Sequence, residues 1–103
     1  MLLDGIYAYT GGRPFDAARP CVIFLHGAQH DHSVWILQSR YLAHHGYAVL
    51  ALDLPGHGRS RGSAEPRIEA IADRLASALA PATTARLMLV GHSMGSLIAL
   101  ELA

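Results

Sequence analysis

The residues Gly91-His92-Ser93-Met94-Gly95 form a G-x-S-x-G run. It follows the apolar stretch Leu87–Val90 and opens the apolar segment Met94–Ala103. A serine on a tight turn between a buried strand and a helix is a nucleophile presented to substrate. Gly91 and Gly95 leave space where a side chain would strike neighbouring strand or helix atoms. The helix that begins after Ser93 offers free N–H groups and the positive end of its dipole. Negative charge collects there when an acyl carbonyl becomes tetrahedral. The Met94 N–H is one candidate donor to that oxyanion, and such a donor lowers the barrier by about 3 kcal/mol. The plainer alternative makes Ser93 an N-cap that only starts a helix. The strand before it and the helix after it favour the nucleophile.

Acyl chemistry of this kind needs a second donor from a neighbouring loop. The run His26-Gly27-Ala28 ends the first strongly apolar stretch, Cys21–Leu25. Gly27 permits close backbone approach, so the Ala28 N–H is the second candidate donor. His26 reads as a buried imidazole that holds the loop by hydrogen bonds rather than as a catalytic group. A third loop, Asp53-Leu54-Pro55-Gly56-His57-Gly58-Arg59-Ser60, carries successive turn residues. Asp53 is expected to accept hydrogen bonds from backbone N–H groups there, not to act as an acid catalyst.

Elements must bring these loops together. Cys21–Leu25, Ala48–Leu52 and Leu87–Val90 are nearly continuous apolar runs, as expected of parallel strands buried on both faces. Helical spacing lies between and after them. Val34, Leu37, Tyr41 and Leu42 recur over Ser33–His45, where Asp31 or Ser33 caps the start and Gly46 ends the helix. Ile68, Ile71, Ala72, Leu75 and Leu79 recur over Pro66–Leu79, with Pro66 in the first turn. Met94–Ala103 is apolar almost all round except Glu101, so it predicts a helix buried on most sides. A strand over Leu2–Tyr9 and a Gly11-Gly12 turn precede these elements. Alternating strands and helices argue an α/β fold with a mostly parallel sheet.

Composition narrows the partners. The chain has 103 residues, 51% of them hydrophobic and 16% charged, which fits a single small globular unit. Eight Arg balance eight acids with no Lys, so there is no basic stripe for nucleic acid and no polybasic patch for a membrane. The lone Cys21 has no internal disulfide partner, and no apolar stretch reaches membrane-spanning length. Met1–Thr10 lacks the layout of a signal peptide. These features lead to the expectation of a soluble cytoplasmic protein acting on a small molecule.

His26-Gly27, the D-L-P-G-H-G-R-S loop and G-H-S-M-G together resemble the α/β-hydrolase superfamily, in its order and approximate spacing. They are most similar to its cofactor-free esterases, peptidases and carbon–carbon bond hydrolases. The resemblance covers Pro20–Ala103 firmly and the N-terminal strand loosely. It implies Ser93 as nucleophile, the Ala28 and Met94 N–H groups as oxyanion hole, and His26, Gly27, Gly91, His92 and Gly95 as motif support. No cofactor or metal is implied. The family's triad continues with an acid and then a His after the serine. Here Glu101 is the one acid after Ser93, about two helical turns along, and no His follows. A serine hydroxyl without a base is a poor nucleophile near neutral pH. The expectation is therefore that residues 1–103 are the N-terminal part of one α/β-hydrolase domain, whose remainder lies C-terminal to Ala103. The strand Leu87–Val90 would then show an unpaired apolar edge here, and the last helix would lack cover.

Other chemistries fit less well. His26, His30, Asp31 and His32 only loosely resemble a metallohydrolase run, because their spacing is wrong. Gly56, Gly58 and Gly62 imitate a dinucleotide loop, but no helix begins at the glycines to meet a pyrophosphate. An inactive fragment or a non-enzymatic binding module on the same fold stays open. Gln29, His30, Trp35 and Met94 are the candidate pocket wall beside the serine.

Overall fold

Apolar runs too continuous for a half-exposed strand form the middle of the sheet, where helices cover both faces. The computed structural model describes residues 1–60, 62, 67–81 and 86–103. Its strands are β1 (Leu2–Leu3), β2 (Ile6–Tyr9), β3 (Cys21–Leu25), β4 (Ala48–Leu52) and β5 (Leu87–Gly91). Its helices are α1 (Ile36–His44), entered through a 3-10 turn over His32–Trp35, α2 (Ile68–Leu79) and α3 (Met94–Leu102). The sheet order is β1-β2-β4-β3-β5. β3 pairs in parallel with β4 and with β5, whereas β2 pairs antiparallel with β1 and β4.

Strand alternation divides the core between two faces. Ile23, Leu25, Leu50 and Leu52 pack with Ile71, Leu75, Leu79 and Ile98 of α2 and α3. Val22, Phe24, Val49 and Ala51 pack with Ala43 of α1. Leu25, Leu50, Leu52, Leu75 and Ile98 have no exposed surface, and each such side chain contributes roughly 1.5–3 kcal/mol of burial. Helices on both faces and parallel central strands make this an α/β fold, as the alternation of elements requires.

Four local expectations change. The N-terminal strand is a hairpin, because Asp4 and Gly5 both take positive φ, 50° and 82°. Asp-Gly is the usual sequence for such a tight turn. Helix α1 keeps only Leu42 of its expected apolar stripe against the core and turns the rest outward: Leu37 is 76% and Tyr41 62% exposed, while Ser39 and Ala43 are buried. The cause is Gly11, since a Cβ there would lie 2.6 Å from the Ala43 Cβ and from the Ser39 carbonyl oxygen. Only small side chains permit that approach. β5 is not covered on both faces either, and Met88 is 59% exposed. Among the described residues it pairs with β3 alone, leaving the expected open edge. Helix α3 buries only Gly95 and Ile98, and leaves Leu97 and Leu100 exposed. It has one packing side, against α2, β3 and β5. Helix α2 follows its stripe from Ile68; Pro66 lies outside the described residues.

Candidate active site

β3 and β5 run side by side in parallel, so their carboxyl ends place His26-Gly27 next to His92-Ser93. Crevices at the carboxyl ends of parallel strands are where open α/β sheets bind ligands. The His92 N–H donates to the Leu25 carbonyl at 3.1 Å, extending the pairing past the end of β5. The chain then reverses at Ser93, with φ 57° and ψ −121°. A non-glycine residue held there stores strain of roughly 1–3 kcal/mol. The surrounding glycines make the turn possible. A Cβ on Gly91 would lie 2.4 Å from the Gly95 carbonyl oxygen, and one on Gly95 only 2.1 Å from the Leu25 carbonyl oxygen.

Ser93 is exposed and its side chain does not cap α3. The reading of Ser93 as a helix-starting cap therefore has no hydrogen bond to support it. Helix α3 begins at Met94, where an N–H has no acceptor within the helix. The Ala28 N–H also has no acceptor among the described residues, and Ala28 is exposed. The Gly27 backbone lies against the serine: a Cβ on Gly27 would sit 3.4 Å from the Ser93 Cβ and 3.8 Å from His92 Nδ1. Two free N–H groups thus flank an exposed serine at a helix start. Such a site can stabilise negative charge developing on an oxygen.

His26 is fully buried. Its Nε2 accepts the Leu54 N–H at 3.0 Å, and its Nδ1 lies 2.6 Å from the Gly27 carbonyl oxygen. The ring is therefore a neutral Nδ1–H tautomer with both nitrogens in use. Burial pushes its pKa below the usual histidine value, against the hydrogen bond to Gly27. Asp53 is fully buried too. It accepts the His32 N–H at 2.6 Å, His32 Nδ1 at 2.9 Å and the Arg59 N–H at 2.8 Å. Ser60 Oγ donates to the Asp53 carbonyl and accepts the Tyr7 N–H. Gly58 is needed at its position, because a Cβ would strike the Asp53 carboxylate. Asp53 thus organises backbone, as its turn-rich loop suggests.

His30, Trp35, Val34 and His92 line a cavity of about 200 Å³ beside the serine turn. His30 and Trp35 belong to the pocket wall expected from the sequence. Val34 and His92 join them, whereas Gln29 and Met94 do not line this cavity. Trp35 stacks obliquely on Phe24 with ring centroids 5.0 Å apart. Asp31, His32 and Asp53 bring ligand-type atoms within 4.8 Å of one another. Those groups are already engaged, Asp31 by Ser33 and the other two by each other. The acidic Glu101 lies exposed near the far end of α3.

A model of the α/β-hydrolase fold family matches residues 20–103. The chain belongs to the α/β-hydrolase fold family. It is 33% identical over 78 residues to (E)-2-((N-methylformamido)methylene)succinate hydrolase of Acinetobacter baylyi, covering 75% of this chain and 29% of that protein. It is 36% identical over 100 residues to 2-succinyl-6-hydroxy-2,4-cyclohexadiene-1-carboxylate synthase of an Enterobacter species, covering 97% and 36%. The solved structure of a marine microorganism esterase superposes with a TM-score of 0.78 at 25% identity, covering 94% of this chain and 35% of the esterase. The chain therefore spans about a third of the length of the family members it matches. Other proteins it resembles include Lipase LipV of Mycobacterium tuberculosis, at 36% identity over 84 residues, covering 80% of this chain and 31% of that protein.

Proposed function

We propose that this chain carries the nucleophile and oxyanion hole of a serine hydrolase. Ser93 attacks an ester, amide or related carbonyl, the Ala28 and Met94 N–H groups hold the oxyanion, and water resolves the acyl-enzyme. The observation that carries the reading is Ser93 itself: exposed, left-handed in φ and uncapped, at the start of α3. His26, Gly27, Gly91, His92 and Gly95 support that turn. A general base and its acid are required from outside these 103 residues, since neither follows Ser93 in a position to serve. On this reading residues 1–103 are one part of a single hydrolase domain, and the rest of that domain lies C-terminal to Ala103.

The substrate is a small carbonyl compound, and neither nucleic acid nor a membrane surface is needed. The free, buried Cys21 suits a reducing compartment such as the cytoplasm. No cofactor enters the scheme.

A fluorophosphonate probe tests the reading on the protein from the complete reading frame and on residues 1–103 separately. Labelling of the complete protein that disappears in Ser93→Ala is the expected result. Failure of the complete protein to label at Ser93 would overturn it, in favour of a non-enzymatic module on this fold. Failure of residues 1–103 alone locates the missing activation in the rest of the protein.

A further inference from the structure

The Gly27 carbonyl and the Ala28 N–H belong to one peptide unit. That peptide is trans and planar to within roughly 10–15°. The direction of the carbonyl therefore fixes the direction of the N–H, which points the opposite way. Two groups hold the carbonyl. The His30 N–H closes a turn on it at 3.3 Å, and His26 Nδ1 makes the shorter bond, at 2.6 Å. The proton in that bond has one place to be. The Leu54 N–H, 3.0 Å from Nε2, needs Nε2 as an acceptor, so the neutral ring carries its hydrogen on Nδ1. His26 is fully buried, and a buried bond lost there is not replaced by bulk water. Burial, the largest influence on the ring, disfavours its charged form. The titratable groups that face it among the described residues are His57, with ring centroids 5.2 Å apart, Asp53 and Asp31. His57 opposes a charge on His26, and the two carboxylates favour one.

We propose that His26 is a positioning residue that makes one oxyanion donor sensitive to acid: the neutral ring holds the Gly27 carbonyl and so aims the Ala28 N–H, and the protonated ring releases it. This rests on the serine-hydrolase reading above. Protonation places a hydrogen on Nε2, facing the Leu54 N–H. Two donors then meet with no acceptor between them. Ring and loop move apart, and the bond to Gly27 goes with the ring. The longer His30 bond alone is left on the carbonyl, so the peptide plane rocks and the Ala28 N–H loses its aim. The competent form is the neutral one. The loss therefore sets in as pH falls below the ordinary histidine value of 6.5.

The test compares hydrolysis of p-nitrophenyl acetate with that of its thiono analogue, C=S in place of C=O, by the complete protein. Sulfur accepts hydrogen bonds weakly, so the ratio of the two kcat/KM values reads the oxyanion donors. A general base common to both substrates cancels from that ratio. His26→Asn keeps an N–H near the Nδ1 position but does not reach Leu54, whereas His26→Gln reaches Leu54 and leaves Gly27 without its bond. Each variant loses one buried hydrogen bond, so a merely structural role moves the two alike. The ester preference is expected to fall about tenfold in His26→Gln, less than the 10²-fold of a lost donor because His30 still holds the carbonyl. In His26→Asn it is expected to stay within about twofold of wild type. The wild-type ratio should be constant above about pH 6.5 and fall beneath it, and His26→Asn should show no such fall. The wild-type pH series decides the matter if the variants do not fold. Turnover that survives Ser93→Ala defeats the serine reading. Turnover that needs Ser93 but shows equal ratios in His26→Asn and His26→Gln, or a wild-type ratio indifferent to pH, overturns the positioning role.

Discussion

Replacing Gly95 by Ala sets two effects of opposite sign against each other. Helix propensity alone favours alanine by about 0.5–1 kcal/mol. The packing opposes it. The new Cβ would lie 2.1 Å from the Leu25 carbonyl oxygen and 2.7 Å from both the Leu25 carbonyl carbon and the His26 carbonyl oxygen. All three are backbone atoms of β3 and its exit, so no rotamer change relieves the clash. A carbon–oxygen contact settles near 3.3 Å, so the start of α3 would have to retreat from β3 by about 1 Å. Overpacking of this kind costs about 1–3 kcal/mol, and immovable backbone places this case at the upper end. The net expectation is a loss of about 2 kcal/mol, a large share of the roughly 5–15 kcal/mol typical of a chain this long. Urea unfolding of the complete protein is the assay, and the midpoint should fall by about 1 M. The same displacement moves Ser93, and a 1 Å misplacement of reacting groups costs about 10²-fold in rate. Fluorophosphonate labelling of the complete protein should slow accordingly. A Gly95→Ala midpoint equal to or above wild type would refute the close-approach argument, because propensity would then have won.

Two further outcomes follow from strain and burial. Ser93→Gly should abolish labelling yet stabilise the fold by about 1 kcal/mol, since glycine adopts this φ freely. Thermal melting of the complete protein should rise by about 2–4 °C, whereas Ser93→Ala keeps the strain and should not gain; an unchanged melting point for Ser93→Gly would count against stored strain. His26 holds its proton less tightly when folded than its usual value of 6.5. The unfolded chain therefore binds more protons just below that pH, so this contribution is complete above about pH 6.5 and is lost as pH falls through the window beneath it. Stability measured by urea unfolding between about pH 5 and pH 8 should show that slope, and His26→Gln should flatten it. A slope identical in the variant would mean that His26 is not its source.

Much of the chain is legible in its residues alone. Three continuous apolar runs form β3, β4 and β5; for β3 and β4 the reason is that a strand covered on two faces needs apolar residues at consecutive positions. Gly91, Ser93 and Gly95 mark the turn, and the turn chemistry of residues 53–60 marks Asp53 as an organiser of backbone. These are short-range facts, carried by residues that are neighbours in sequence. What lies between distant segments is not legible in that way. The outward turn of Leu37 and Tyr41 depends on Gly11 meeting Ala43 and Ser39, and helical spacing cannot show which side a neighbour approaches. The exposure of Met88, Leu97 and Leu100 reflects how many elements reach β5 and α3, a count that hydropathy does not contain. Residue types and their spacing suffice for the α/β class, the serine turn and the family. Tertiary packing is needed to show that Ser93 is strained and uncapped, that Gly95 lies against the Leu25 carbonyl, and that His26 and His32 fasten one loop to Asp53-Leu54. The reason is that periodicity records which face of an element is apolar, whereas strain and shared anchoring arise only when segments far apart in the chain compete for the same few ångströms.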